Sequence, residues 1–395
     1  MLSTDEVARR LGVKPATVYA YVSRGLLHSE RNADGKGSLF AESQVEAFAA
    51  RRGRPVRDGA GPVIRTGLTL IRDGRLFYRG HDALQLARES SYESVITLLW
   101  TGELRQVPLE PSPGLRDLAE AVTAPLPASA RLTDRLRVIC AAAAAADPLR
   151  FDTAPVAVVA TGRTVLATMV AALPVRQPDA GGSAFADVLW RRLTATPATP
   201  AAVRALNAAL VLLADHDLAA STLAARVAAS TRAHPYAVVG AGLAALDGPL
   251  HGAASGLAYA LLAEAVRSGD PVGAVSDRLR AGGPVPGFGH PLYPEGDPRA
   301  AELLALLPDA PGKAEVRAVI DASGSPPNVD FAIAAFALLT GMAADAGEAI
   351  FAVSRTAGWI AHALEEYGDR PSRFRPSGRY AGPANQSGSG TIDNL

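Results

Sequence analysis

From Tyr92 to Glu366 apolar residues recur again and again at the three-and-four spacing of a helix, and this periodicity constrains the fold more than any other feature. Helical periods run over Tyr92–Gly102, Arg131–Ala146, Pro155–Leu173, Ala201–Leu213, Leu223–Ala245, Gly256–Ser268, Ala314–Ala322 and Val329–Ala344, with a last long one over Glu348–Glu366. Period-two alternation is confined to Leu68–Tyr78, where Asp73-Gly74 marks a hairpin turn. The fold class expected is therefore mainly α. At 395 residues the chain has room for two or three domains and a substantial core.

The first fifty residues stand apart. Ser3 and Glu6 form a capping box, and Val7, Ala8 and Leu11 then place an apolar stripe on a short helix ended by Gly12. Pro15 opens a second helix, with Val18, Tyr21 and Val22 at helical spacing, closed by Gly25. Two short helices around a tight glycine turn are the helix-turn-helix signature. Arg31 to Phe40, with Asp34-Gly35 at its middle, reads as a hairpin or wing, and Glu42 to Ala50 as a third helix. Gly53 to Pro62 is turn and linker chemistry, and the Gly-, Ser- and Asn-bearing end, 384–395, reads as a disordered tail.

Charge excludes some partners. With 39 basic and 39 acidic residues the chain has no global field for nucleic acid or membrane, so any such contact must be local. Up to Asp58 there are 10 Lys and Arg against 7 Asp and Glu, a surplus of 3, thin for a phosphate-binding surface. No signal peptide is read at the N-terminus, and the longest apolar run, Pro155–Val175, is broken by Thr161, Gly162, Arg163 and Thr164. The expected location is the cytoplasm. The single cysteine, Cys140, lies beside an alanine run and is expected to be a buried small hydrophobe.

The stretch Pro286–Arg299, P-G-F-G-H-P-L-Y-P-E-G-D-P-R, is the one segment with the look of a site. Glycines on both sides of Phe288 let the backbone approach a ligand, and four prolines stiffen the stretch around His290, Asp297 and Arg299. Among the chain's 7 histidines, His216 falls in A-D-H-D-L-A-A-S-T, His251 in D-G-P-L-H-G and His290 in this loop, each at the end of an expected helix. Asp330, in P-N-V-D-F, sits at a helix start. Each has a structural alternative: His216 and His251 as core or capping histidines, and Asp330 as a helix cap. The histidines are not spaced as zinc ligands and there is no cysteine pair, so no metal is expected.

In order along the chain, these motifs resemble the citrate synthase family. Y-R-G at Tyr78–Gly80 and the helix ending in L-W-T-G come first. A-D-H-D-L-A-A-S-T, G-P-L-H-G, G-F-G-H with D-P-R-A, P-N-V-D-F, S-R-T-A-G-W-I-A-H and R-P-S-G-R-Y at Arg375–Tyr380 follow. The family's H-P-M motif, expected near Leu149, is missing. The N-terminal segment resembles the winged helix-turn-helix modules of the MerR and excisionase type.

The resemblance implies a two-domain helical fold preceded by a small winged helix-turn-helix domain at 1–52 and a linker at 53–62. The large domain would comprise 63–220 and 327–383, and the small domain 221–326. It implies condensation of acetyl-CoA with oxaloacetate to give citrate and CoA. Asp330 would be the base for the methyl proton, His251 the donor to the thioester oxygen and His290 the donor to the ketone. His216, Arg299, Arg355 and Arg375 would bind oxaloacetate, whose two carboxylates suit guanidinium forks. For Arg355 the structural alternative is an interhelical ion pair. In the family the last arginine reaches a neighbouring subunit's site, which implies a homodimer. No cofactor beyond the acyl-CoA co-substrate is implied.

In the N-terminal module, Thr17, Tyr19, Ala20, Ser23 and Arg24 would face DNA. Two departures stand out. Pro291 and Pro294 occupy places where relatives carry basic residues associated with the CoA phosphates, and G-A-A-S replaces G-G-A-N after His251. Lys313 or Arg317 would have to substitute. Two further functions fit the same motifs: 2-methylcitrate synthesis from propionyl-CoA, and DNA-binding regulation in which the synthase-like domain senses a metabolite.

Overall fold

The structure, a computed structural model, describes residues 1–23, 26–31, 38–51, 64–178 and 184–374. It divides into two compact units, Met1–Arg65 and Thr66–Leu395.

In the first unit the helix Thr4–Leu11 starts with the expected capping box: the Glu6 amide donates to Ser3 Oγ at 3.3 Å, and the Ser3 amide donates to Glu6 Oε2 at 2.7 Å. Those hydrogen bonds favour the ionised carboxylate and hold Glu6 below its ordinary pKa. Pro15–Ser23 and Glu42–Arg51 are the other helices. The sheet has three strands rather than the two of a simple hairpin. Ser38–Phe40 lies in the centre, with Glu30 opposite Leu39 on one side and Leu2 opposite Phe40 on the other. The strand Leu2–Ser3 was too short to show alternation, and Asp34-Gly35, Arg24 and the linker 53–62 lie outside the described residues. Val7, Leu11, Val18, Tyr21, Leu27, Phe40 and Val45 form this unit's own core.

The second unit opens with the expected hairpin, Thr69–Arg72 against Arg75–Tyr78, with Arg72 opposite Arg75. Asp73 and Gly74 take φ of 51° and 70°, the paired positive values that a tight two-residue turn demands. A third short strand, His81–Asp82, pairs with Arg75–Tyr78, and the elements that follow it among the described residues are helices. At its centre runs Ala346–Gly368, a 23-residue helix whose residues are buried without a break from Ala346 to Ala363. Such all-round burial needs neighbours on every side. They are pinned to it by polar side chains: Tyr92 Oη donates to the Ser354 carbonyl at 2.8 Å and Trp100 Nε1 to the Ala357 carbonyl at 2.8 Å. Cys140 is buried against the helix that follows Pro235, and burial pushes its thiol up to about 12.

The apolar period read as one helix over Leu223–Ala245 is two helices, Ala220–Ser230 and Pro235–Leu246. Arg232 takes φ of 64°, His234 Nδ1 accepts from the Ala237 amide at 3.1 Å, and Pro235 starts the second helix. The apolar spacing runs through the break because both helices bury the same side. Helices at Ala83–Glu89, Pro113–Thr123, Phe185–Leu193, Pro271–Arg280 and Pro298–Ala305 were not among the periods read in the sequence. None of the described helices is long and apolar enough to cross a membrane.

Candidate active site

The glycine-flanked segment before His290 is fastened to the segment before Asp330. The Gly289 amide donates to the Pro326 carbonyl at 2.9 Å, and the Asn328 amide to the Gly287 carbonyl at 2.9 Å. Phe288 and Pro327 form an antiparallel bridge. Gly287, at φ +86°, is required twice over: a Cβ there would lie 2.8 Å from the Cβ of Phe331, and the backbone conformation disfavours one in any case.

Asn328 joins the two segments. Its Oδ1 accepts from the amides of Asp330 and Phe331 at 3.0 and 3.3 Å, capping the helix Val329–Leu339, while its Nδ2 donates to the Gly289 carbonyl at 3.0 Å. The cap is therefore Asn328. Asp330 is freed from that role, and its Oδ1 is buried with no hydrogen-bond partner among the described residues.

Arg299 belongs to the first turn of the helix Pro298–Ala305 rather than to the loop. Asp297 caps that helix and grips Arg299 through two parallel bonds, Nε to Oδ1 at 2.9 Å and Nη2 to Oδ2 at 2.8 Å; the same Oδ2 accepts from the Val329 amide at 3.1 Å. One buried carboxylate thus orients the arginine and the helix that carries Asp330. Arg355 Nε donates to the Leu213 carbonyl at 2.8 Å and its guanidinium lies 4.9 Å from the Phe351 ring centre. Among the described residues it makes no ion pair.

These elements close around a cleft of about 500 Å³ lined by His216, His251, His290, Arg299, Asp330 and Arg355, with Phe351 and Asn328 beside them. Burial raises the Asp330 carboxyl to about 7, and Asp297 pushes the same way, against the pull of Arg299 and Arg355. Burial, assisted by Arg355, lowers His251 to about 4. His290 is lowered by burial and then by Arg299, and His216 is held well below its ordinary range by burial, Arg299, Arg355 and His290. The three imidazoles are neutral at pH 7.

Hydrogen bonds fix where two of their protons sit. His290 Nδ1 accepts from the Leu292 amide at 3.1 Å, so Nε2 carries the hydrogen. His251 Nε2 lies 2.8 Å from Ser221 Oγ, a buried hydroxyl with no other partner among the described residues. A buried hydroxyl satisfies its proton by donating it, which leaves His251 with an Nδ1–H. Neither His216 nor His251 caps a helix; the capping histidine is His234.

The remaining expected residues fall elsewhere. Arg375 and Arg24 lie outside the described residues. Lys313 and Arg317 sit on Lys313–Ser323 and do not line the cleft; Lys313 Nζ donates to the Leu307 carbonyl at 3.3 Å. Pro291 does line it, together with Pro249, Pro284 and the exposed Leu250 and Leu257. Tyr19 and Ser23 are exposed on Pro15–Ser23, and Thr17 is half-buried. Sequence reasoning overlooked Asn328, Ser221 and Tyr293. Only Asn328 carried a usable signal, as a capping residue type at a helix start.

The model of the family described as "Citrate synthase, C-terminal domain" matches residues 60–377. The chain belongs to the citrate synthase family. A helix-turn-helix domain family matches residues 1–53. The citrate synthase of Haloferax volcanii is 33% identical over 347 residues, covering 78% of this chain and 90% of that protein. 2-Methylcitrate synthase 2 of Corynebacterium glutamicum is 29% identical over 348 residues, covering 78% and 88%. The crystal structure of the Pyrobaculum aerophilum citrate synthase superposes with a TM-score of 0.70 at 25% identity, covering 91% of this chain and 96% of that one. This chain is thus an enzyme of the citrate synthase type, carrying a helix-turn-helix module in front of the catalytic fold.

Proposed function

We propose that the cleft condenses acetyl-CoA with oxaloacetate to give citrate and CoA. The observation that carries this reading is one unpartnered carboxylate, Asp330, set among neutral histidines and arginine forks in the same cleft. A carboxyl raised to about 7 is half ionised at neutral pH and basic enough to take a proton from the thioester methyl. The His251 Nδ1–H donates to the thioester oxygen and stabilises the enolate. The enolate carbon then attacks the ketone of oxaloacetate, whose oxygen is held by the His290 Nε2–H; the resulting alkoxide gains one proton to become the alcohol, balanced by the methyl proton that Asp330 took and gives up again. Water hydrolyses the citryl thioester and releases CoA. The steps balance without an electron acceptor, so the reading needs no cofactor beyond the acyl-CoA.

Arg355, with its terminal nitrogens unspent, and Arg299, with Nη1 left over from Asp297, are suited to the two carboxylates of oxaloacetate. His216 adds a further contact. Arg375 of a second copy would complete the clamp in a homodimer. The apolar mouth formed by Pro249, Leu250, Leu257 and Pro291 leaves CoA without a lining cation beyond Arg299 and Arg355. Binding there would rest on pantetheine contacts more than on phosphates, with Lys313 and Arg317 as candidate substitutes.

Propionyl-CoA is the rival substrate, since one methylene is worth only about 1–3 kcal/mol in a pocket. Purified protein given each acyl-CoA with oxaloacetate should release free thiol, with kcat/KM higher for acetyl-CoA and citrate as the product by mass. A reversed ratio makes the protein a 2-methylcitrate synthase. Silence with both substrates overturns the enzyme reading in favour of a metabolite sensor. DNA is the partner we propose for the N-terminal module, because Tyr19 and Ser23 stand exposed on the second helix of a helix-turn-helix. Affinity for the gene's own upstream DNA should fall with rising salt and vanish without residues 1–52; affinity that survives the deletion assigns it elsewhere.

A further inference from the structure

Behind the cleft, Tyr293 touches three of the groups assigned to oxaloacetate. It is only 2% exposed, its Oη lies 2.9 Å from His216 Nε2, and its ring centre is 5.0 Å from that of His290. The guanidinium carbon of Arg299 sits 5.4 Å from the same ring. The phenol itself does not line the cleft.

The Tyr293 hydroxyl has a single partner among the described residues, His216 Nε2. Burial holds its pKa up at about 12, so it keeps its proton, and a buried phenol with one partner must donate to it. The accepting nitrogen, Nε2, is therefore bare. His216, neutral among Arg299, Arg355 and His290, then carries its one hydrogen on Nδ1, which has no partner among the described residues. The opposite tautomer would make the phenol the acceptor, leave its buried O–H without an acceptor among the described residues, and leave Nδ1 a bare acceptor, which repels a carboxylate.

We propose that Tyr293 is a positioning residue that fixes His216 as the Nδ1–H tautomer, turning this ring into a hydrogen-bond donor for a carboxylate of oxaloacetate. The proposal rests on the condensation reading for the identity of the ligand, but the tautomer is a property of the free protein. The Tyr293→Phe change removes only the hydroxyl and keeps the ring against His290 and Arg299.

Long-range nitrogen–proton spectra of the ¹⁵N-labelled full chain read the tautomer of each histidine, with His216→Gln identifying the His216 signals. The expected result is a protonated Nδ1 on His216 in the wild type and a shift toward protonated Nε2 in Tyr293→Phe. In thiol release, Tyr293→Phe should raise the KM for oxaloacetate by about three- to tenfold, the scale of one neutral hydrogen bond, with kcat within about twofold. A wild-type His216 protonated on Nε2 overturns the proposal without any variant. An unchanged tautomer or an unchanged KM in Tyr293→Phe overturns it as well. A wild type with the expected tautomer but no turnover would sink the condensation reading and leave the tautomer assignment standing.

Discussion

Asp330 carries a cost in stability, because among the described residues its buried Oδ1 has no hydrogen-bond partner and burial disfavours its charge. As the base it must be ionised, so kcat/KM should rise with pH and level off above an apparent pKa near 7. A flat profile through that range would contradict the assignment. Stability should move the other way. The folded pKa lies above the ordinary aspartate value of 3.8, so the native state keeps a proton that the unfolded chain has already released, and stability falls as pH rises from about 4 to about 7. Asp330→Asn removes the ionisation, so thermal unfolding should show a higher Tm than wild type above pH 7 and no difference near pH 4. At this scale the sequence was legible where a rare residue type met a recurring motif, as with His216, His251, His290 and Asp330. Tyr293 and Ser221 were illegible because what selects them is a neighbour many residues away: Ser221 lies 30 residues from His251 and Tyr293 lies 77 from His216.

Between residue and fold, the decisive unit is the pair of segments Gly287–Gly289 and Pro326–Asn328, bonded edge to edge so that the chain before His290 is tied to the chain before Asp330. Gly287→Ala places a methyl 2.8 Å from Phe331 Cβ at a φ of +86° and should destabilise the protein by about 1–3 kcal/mol in urea unfolding. A kcat/KM unchanged by this substitution would mean that the zipper does not position the histidine. Asn328→Ala removes the helix cap and the tie to Gly289 at once; a loss of about 1–2 kcal/mol in urea unfolding is expected, and a stability equal to wild type would contradict the capping role. The prolines of Pro286–Arg299 announced a segment without a helix interior, and the structure agrees except at its end, where Pro298 begins a helix. Helix breaks were harder to see. Pro235 was a visible stop, yet the apolar period continued across it because the two helices share a buried side.

At the scale of the molecule, each unit has its own apolar cluster, one from Val7 to Val45 and one from Leu68 to Ala363. The chain without residues 1–65 should therefore fold cooperatively and retain thiol-releasing activity, with kcat within about twofold of the full chain. Loss of activity on deletion would make the module part of the catalytic machinery. The helical class and the boundary near residue 60 were legible because periodicity and turn chemistry are local. The cleft was not, since it gathers side chains spread from His216 to Arg355. The central claim is that Asp330 abstracts the acyl proton, and oxaloacetate-dependent release of CoA thiol by wild type and Asp330→Asn tests it most directly. A loss of about 10²–10⁴ in kcat, with oxaloacetate binding retained by calorimetry, is the predicted result. Turnover by Asp330→Asn at the wild-type rate would contradict it.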